Sequence, residues 1–495
     1  MRARLLLLAA ALVAFGASLG SGFHFDDYAI FSDRALTSPS GWLDIWTLRQ
    51  TRPLTYLTFW LNYQVGGRDP LGYHLLTLAL HIGVVLLAYE CLRRLLPERA
   101  ALIAAAIFAV HPIQAEAVNY VWARSIVLAT LLTLASLDAW IQGRPWLALT
   151  WFAAALLAKE EVAAFPLLLL VMWGRRFRLP RPLAGDSAVE SARIWGSPNL
   201  PPIFLMLLLS LAAGARVIYA TSVTPGAPAG LQAGITPWHY FLAQGPVILR
   251  YLRLLLIPYG FTVDPDIRVP PAWLALTAWI AILAAIVLAL RRREAWSSWM
   301  LAGFILLIPS STIFPAADLA ADRRMYFPML AFAAAAGLLL DRVKPHAFAA
   351  GAVVALALVS VGRTQVWMTE ASLWREAVAR APEKVRPKIQ LARALPAAAA
   401  LELLAQASNL APDDPTIAAE TGKTLLAEGL PEAALQEFGR ALALDPRDAR
   451  NLNNRGVALA AIGQTEAARA DFERALRIDP GLTEARQNLL KLPAP

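Results

Sequence analysis

Long apolar runs separated by short, arginine-bearing loops recur through the first 362 residues, and no other feature constrains the fold as tightly. Eleven such segments lie near residues 4–22, 71–92, 100–118, 122–141, 145–158, 162–174, 200–219, 272–290, 296–314, 325–343 and 346–361. A backbone in hydrocarbon must satisfy its own polar groups, so these runs predict helices packed as a polytopic bundle. Those at 145–158 and 162–174 are short for a hydrocarbon core of about 30 Å, which takes about 20 helical residues, and predict ragged or tilted ends. With 58% hydrophobic and 16% charged residues, the chain fits neither an ordinary soluble enzyme nor a disordered protein.

Charge locates the seam. Residues 363–495 carry 17 basic and 17 acidic side chains, whereas residues 1–362 carry 28 and 19, the whole of the net charge of +9. A nucleic-acid binder gathers such an excess in one patch or arm. Here it sits in short loops: Arg93, Arg94 and Arg99; Arg175, Arg176, Arg178 and Arg181; Arg291, Arg292 and Arg293; Arg342 and Lys344. That pattern is a topology signal, and no nucleic-acid partner is expected. With Arg2 and Arg4 cytoplasmic, alternation places all four loops on the cytoplasmic side. Residues 23–70 and everything after 362 then lie outside.

Residues 238–257 are apolar enough to span, yet counting them would put Arg291–Arg293 outside. Arg250 and Arg253 also share a helical face, so this segment is read as lying on the outer surface. The first run also fits a cleaved signal peptide, which leaves residues 23–70 outside either way. Cys91 is the single cysteine, which excludes an intramolecular disulfide and a thiolate metal cage.

The tail repeats. Pro412, Pro446 and Pro480 are spaced 34 apart, and the same register aligns Gly422 with Gly456, Ala434 with Ala468, Phe438 with Phe472 and Ala441 with Ala475. This is the tetratricopeptide period, with small residues where paired helices cross. A degenerate repeat at 381–412 keeps Ala400, Leu404 and Ala407 in phase. The chain is thus expected to be all-α: a membrane domain over 1–362, a linker helix at 363–380, and an α-solenoid of about three repeats over 381–495. Such solenoids bind proteins in a concave groove. Any chemistry must therefore reside in the membrane part.

Directly after the first run stands Phe23-His24-Phe25-Asp26-Asp27-Tyr28. Adjacent carboxylates at a membrane boundary are costly when buried. At the outer mouth of a bundle, Asp26 and Asp27 suit a general base or a group orienting an acceptor; a pair of solvated loop acids explains them equally well. Other polar residues interrupt apolar runs: His74 and His81 on one helical face, His111 and Glu116, Lys159-Glu160-Glu161, and Asp322-Arg323-Arg324. Arg323 and Arg324 would attract an anionic lipid headgroup through charge-assisted bonds. For each of these residues a local ion pair or boundary anchor is the competing explanation. No His-Glu spacing makes a zinc site, so no metal ligand is assigned.

These motifs, in this order, resemble the transmembrane and tetratricopeptide-repeat O-mannosyltransferases and their bacterial relatives, and more broadly the GT-C glycosyltransferases. The resemblance runs through Phe25-Asp26-Asp27-Tyr28-Ala29-Ile30, Arg52-Pro53-Leu54-Thr55-Tyr56, Gly72-Tyr73-His74 with His81, Val110-His111-Pro112 with Glu116, Ala158-Lys159-Glu160, Tyr251-Leu252-Arg253 with Asp264, Pro309-Ser310-Ser311, and Asp322-Arg323-Arg324-Met325-Tyr326. Gln114 stands where animal members have a second His, Asp322 replaces the usual Glu, and the acid those members carry after Arg124 is missing. The resemblance implies a GT-C-like domain of about eleven spans and a polyprenyl-phosphate sugar (mannose or another hexose) as donor. It implies an acceptor hydroxyl, most naturally Ser or Thr of a protein, with Asp26 or Asp27 as base. Arg323, Arg324, Arg253 and Lys159 would take the donor phosphate; Arg52, His74, His111, Glu116, Glu160 and Tyr326 complete the candidates. The donor is a substrate rather than a cofactor, and a divalent ion is left open. A bacterial inner membrane is expected, with the N-terminus cytoplasmic and the repeats periplasmic. The rival readings are a non-catalytic scaffold or lipid-linked-sugar flippase subunit, and a transferase acting on lipid or glycan.

Overall fold

The computed structural model describes residues 1–174, 200–224, 229–311, 314–345 and 347–493. Arg175, Arg176, Arg178 and Arg181, one of the four basic loops, lie outside the described residues. Among the described residues all regular structure is helical, apart from a single bridge pairing Ala229 with Ala316. The chain forms two units, Met1–Thr369 and Glu370–Pro495.

The first unit is a multi-pass bundle. It comprises α1 (Arg2–Phe15), the short α2 (Ala29–Ser32) and α3 (Arg34–Thr37), α4 (Pro53–Gly66), α5 (Pro70–Leu95), α6 (Glu98–Val110), α7 (Ala115–Asn119), α8 (Arg124–Ile141), α9 (Pro145–Ala158) and α10 (Phe165–Gly174). It continues with α11 (Leu200–Val223), α12 (Pro237–Leu256), α13 (Ala272–Arg291), α14 (Ala295–Leu307), α15 (Tyr326–Leu340) and α16 (Ala347–Val366).

Among the described residues six helical stretches are long and apolar enough to cross a membrane alone: Arg2–Gly20, Pro70–Leu95, Val121–Ile141, Leu200–Val223, Ala272–Arg291 and Ala347–Val366. The expected span at 100–118 is instead two pieces bent by 47°. Pro112 offers no N–H to continue the ladder, and the His111 ring accepts the Ile113 N–H in its place. The expected spans at 145–158, 162–174, 296–314 and 325–343 are the shorter helices α9, α10, α14 and α15. Two of them, α10 and α15, are preceded by tight 3-10 turns, Glu160–Ala164 and Asp322–Met325, and those turns carry charged residues. Helix length is given up where the chain must deliver charge to one end of the bundle. The segment 238–257 forms α12, twenty residues long but outside the six, with Tyr240, Gln244, Val247, Tyr251 and Leu254 buried along one face.

Small side chains let the central helices α5, α6, α8 and α15 approach closely, the packing mode that substitutes for a hydrophobic drive in lipid. Gly337 of α15 marks the tightest point, since a Cβ there would lie 2.4 Å from the Ala100 carbonyl oxygen on α6.

The second unit stacks α17 (Glu370–Arg380), α18 (Val385–Arg393), α19 (Ala397–Leu410), α20 (Pro415–Ala427), α21 (Pro431–Leu444), α22 (Ala449–Ala461), α23 (Thr465–Ile478) and α24 (Thr483–Lys491) as antiparallel pairs. Gly422 and Gly456 face the rings of Phe438 and Phe472, where an added Cβ would come within 2.8 and 2.6 Å. One period earlier the pair is Lys388 with Leu404. Both are buried, the smaller partner leaving room for the lysine stem. The stretch 363–380 is not one helix. Its first residues end α16 and its last form α17, which packs on α18. The break falls at Trp367, which is buried in the first unit with its carbonyl 2.7 Å from His24 Nε2 and its ring stacked on Tyr120.

Candidate functional site

The acidic pair divides its labour. Asp27 is fully buried: Oδ2 accepts the His24 N–H at 3.0 Å and Oδ1 accepts the Trp122 N–H at 2.7 Å, binding the loop after α1 to the start of α8. Burial pushes its carboxyl up to about 8, against the pull of these N–H donors. Asp26 is exposed, and its Oδ2 accepts the Tyr120 hydroxyl at 2.8 Å. Between His24 and Asp26, Phe25 takes a positive φ of 22° and its ring packs 4.5 Å from that of Tyr120. A phenylalanine in that region is strained, and the buried anchors on either side hold it there. His24 donates through Nε2 to the Trp367 carbonyl, and burial lowers its pKa to about 4, so the anchor is a neutral ring.

Tyr120 also brings in the first cation: the Arg323 guanidinium carbon lies 6.0 Å from its ring centre. Arg323 is gripped by the buried Glu116, which accepts its backbone N–H at 3.0 Å and also its Nη1; Asp318 stands 3.8 Å from Nη2. Burial opposes the Arg323 charge, but Glu116, Tyr120 and Asp318 outweigh it and hold its pKa above the ordinary value. The neighbouring Asp322 is paired to Arg250 at 2.6 Å. Arg324 turns inward, donating to the Tyr240 hydroxyl and to the carbonyls of Leu319 and Asp318. It ties down the loop before α15.

The turn after α9 supplies a second group. Arg52 makes a two-pronged bond to Glu160 at 2.6 and 3.1 Å; burial works against that carboxylate's charge, yet Arg52 holds its pKa down at about 2. Lys159 is buried and pairs with Glu161 at 3.0 Å; burial lowers its pKa to about 8, opposed by Glu161 and reinforced by repulsion from Arg52 and Arg323. Lys159, Arg52 and Arg323 therefore share one electrostatic neighbourhood.

Of the twelve candidates, Asp26, Asp27, Glu116 and Arg323 meet directly or through Tyr120, with Arg52, Lys159 and Glu160 alongside. The others do not join them. Arg253 is exposed at the end of α12 and donates to the Tyr259 carbonyl at 3.1 Å. His111 Nε2 donates to the Leu255 carbonyl, His74 Nε2 to the Gly22 carbonyl, and the Tyr326 hydroxyl bonds His81 Nδ1 at 2.7 Å, all inside the helix packing. Sequence alone does not mark Tyr120, Arg250 or Asp318 as site residues. Sequence marks Arg250 only by its spacing from Arg253, and nothing in the spacing links Tyr120 to an acid 94 residues away. Among the described residues no three His, Cys, Asp or Glu side chains gather as a metal ligand set.

This arrangement provides an exposed carboxylate, a hydroxyl fixing its orientation, and a fixed guanidinium beyond that hydroxyl. Such a set can take a proton from a hydroxyl and place positive charge near a departing anion. Protein O-mannosyl-transferase TMTC4 of Homo sapiens is 25% identical over 461 residues, covering 77% of this chain and 62% of its own. Protein O-mannosyl-transferase TMTC3 of Mus musculus is 27% identical over 363 residues, covering 64% and 40%. Both of these relatives are named protein O-mannosyl-transferases. The chain spans 62% and 40% of the length of these two curated relatives. The tetratricopeptide repeat family matches residues 449–482. Among solved structures, ArnT from Cupriavidus metallidurans bound to undecaprenyl phosphate aligns over 95% of this chain and 79% of that one, at 14% identity and a TM-score of 0.42. The Archaeoglobus fulgidus oligosaccharyltransferase tethered with an acceptor peptide aligns over 74% and 54%, at 14% identity and a TM-score of 0.35.

Proposed function

We propose that the chain is a membrane glycosyltransferase that moves a hexose, mannose by analogy with its relatives, from a polyprenyl phosphate to a hydroxyl of a protein. The observation that carries this reading is the exposed Asp26 carboxylate, oriented by Tyr120 beside Arg323. The acceptor oxygen attacks the anomeric carbon as its proton passes to Asp26. The bond from that carbon to the phosphate oxygen breaks, and the electron pair leaves with the polyprenyl phosphate. Arg323, partly exposed and linked to Asp26 through Tyr120, takes that phosphate, and Lys159 adds positive charge. Asp27 acts by holding the loop. The cluster faces the outer side, the periplasm if the membrane is a bacterial inner one, and the repeats hold the acceptor there, raising its effective concentration.

The test uses full-length protein in nanodiscs with polyprenyl-phosphate mannose and a Ser/Thr-rich acceptor. Asp26→Asn should fold as the wild type and lose about 10²–10⁴ in rate, the contribution of a general base. Wild-type rates in Asp26→Asn would end the catalytic assignment, and a wild type that transfers from no polyprenyl-phosphate sugar would favour the scaffold. Reporter fusions after residue 362 should be active only outside the cytoplasm.

A further inference from the structure

At the other end of the bundle, α1, α6 and α16 pack against one another and run in the same direction. Their C-terminal ends are pinned: Thr364 Oγ1 donates to the Ala14 carbonyl at 3.1 Å and Ser360 Oγ to the Val110 carbonyl at 2.5 Å. Toward their N-terminal ends they part around a groove of 440 Å³. Its walls are aliphatic, with alanines such as Ala10, Ala106 and Ala350 at positions where larger side chains would fill it. Among the described residues lining it, Arg99 alone is charged.

The mouth carries acids as well as bases, with Glu90, Glu98 and Asp341 beside Arg4, Arg93 and Arg99. Arg99 reaches Asp341 only at 3.5 Å and keeps 36% of its side chain exposed. Nearby, one carboxylate, Glu90, serves both Arg4 and Arg93. An apolar slot open to the bilayer and headed by an incompletely neutralised guanidinium fits a chain-bearing phosphate. We infer that this groove binds one acyl chain of an anionic phospholipid, with its phosphate on Arg99. The site lies at the end opposite Asp26 and is independent of the transfer reaction. The lipid would fill the wedge that the helices leave open and so act as a component of the fold.

The test takes the full-length protein, delipidated in mild detergent, with phosphatidylglycerol or phosphatidylcholine added. Native mass spectrometry should show one phosphatidylglycerol retained about tenfold more tightly than phosphatidylcholine, with Tm raised only by the former. Arg99→Gln should bring the two lipids to parity. Ala350→Phe enlarges an exposed residue of the groove wall, so the bundle should still assemble while lipid retention is lost. Equal retention of both lipids by the wild type, or undiminished retention by Ala350→Phe, would overturn the assignment. So would recovery of polyprenyl phosphate rather than phospholipid from the groove.

Discussion

If Arg323 acts through the geometry that Glu116 imposes, the two must behave as one unit. Glu116 is 5% exposed and Arg323 25%, and the carboxylate takes both the backbone N–H and the guanidinium of its partner. Exposed pairs are worth about 0–1 kcal/mol, and removing one partner from a buried pair costs about 3–5 kcal/mol. The partial exposure of Arg323 puts the coupling between these limits, at about 2 kcal/mol, which is roughly 30-fold in a rate or equilibrium constant. Glu116→Gln retains shape and hydrogen bonding but not charge, while Arg323→Lys retains charge and loses the fork. Transfer by the two single variants and the double variant would be measured as kcat/KM, with Tm recorded in parallel. Each single variant should lose about 30-fold, and the double variant scarcely more. Independent losses that multiply toward 900-fold would refute the argument. So would an unchanged Glu116→Gln, because an untethered Arg323 would then serve equally well.

Three further outcomes follow from the same contacts. Native Asp27 keeps a proton up to about pH 8 that the unfolded chain releases above about pH 4. Wild-type stability should therefore fall as pH rises through that window, and Asp27→Asn should flatten the Tm–pH curve there. Glu160 is shifted the other way, down to about 2 by Arg52, so its contribution is present above about pH 4 and lost as pH falls toward 2. Arg52→Met should lower Tm at pH 7, with the gap to wild type closing on acidification. In the repeats, Gly456→Leu drives a side chain into Phe472 and should make the second unit protease-sensitive, whereas adding Phe472→Leu should restore resistance.

The helical class and the repeats were legible because each rests on a period: apolar runs in one case, prolines 34 apart in the other. The acidic pair was legible as a pair, but not the division within it, because adjacent residues can point to opposite sides of a strained turn. The arginines show the same limit. Arg323 and Arg324 are neighbours, yet one faces the rim and the other is consumed by carbonyls of its own loop. Arg250 and Arg253 lie three apart on α12, and only Arg250 meets an acid; Arg253 falls in the last turn, where the nearest acceptor is the carbonyl of Tyr259. Sequence spacing carries no information on contacts such as Tyr120 with Asp26, which exist only once α7 and the loop after α1 are packed together.

Behind this rim stands Arg124, fully buried, donating to Thr77, Thr58, Asn62 and the Tyr73 carbonyl, with the rings of Phe59 and Tyr73 against its guanidinium. None of these acceptors is a carboxylate. Dissolved ions cannot reach the cage to screen it. The rim pairs answer to the salt of the medium they face, but the hydrogen bonds joining α4, α5 and α8 at Arg124 do not. The bundle thereby keeps one fixed reference frame beneath a surface whose charges are screened by salt.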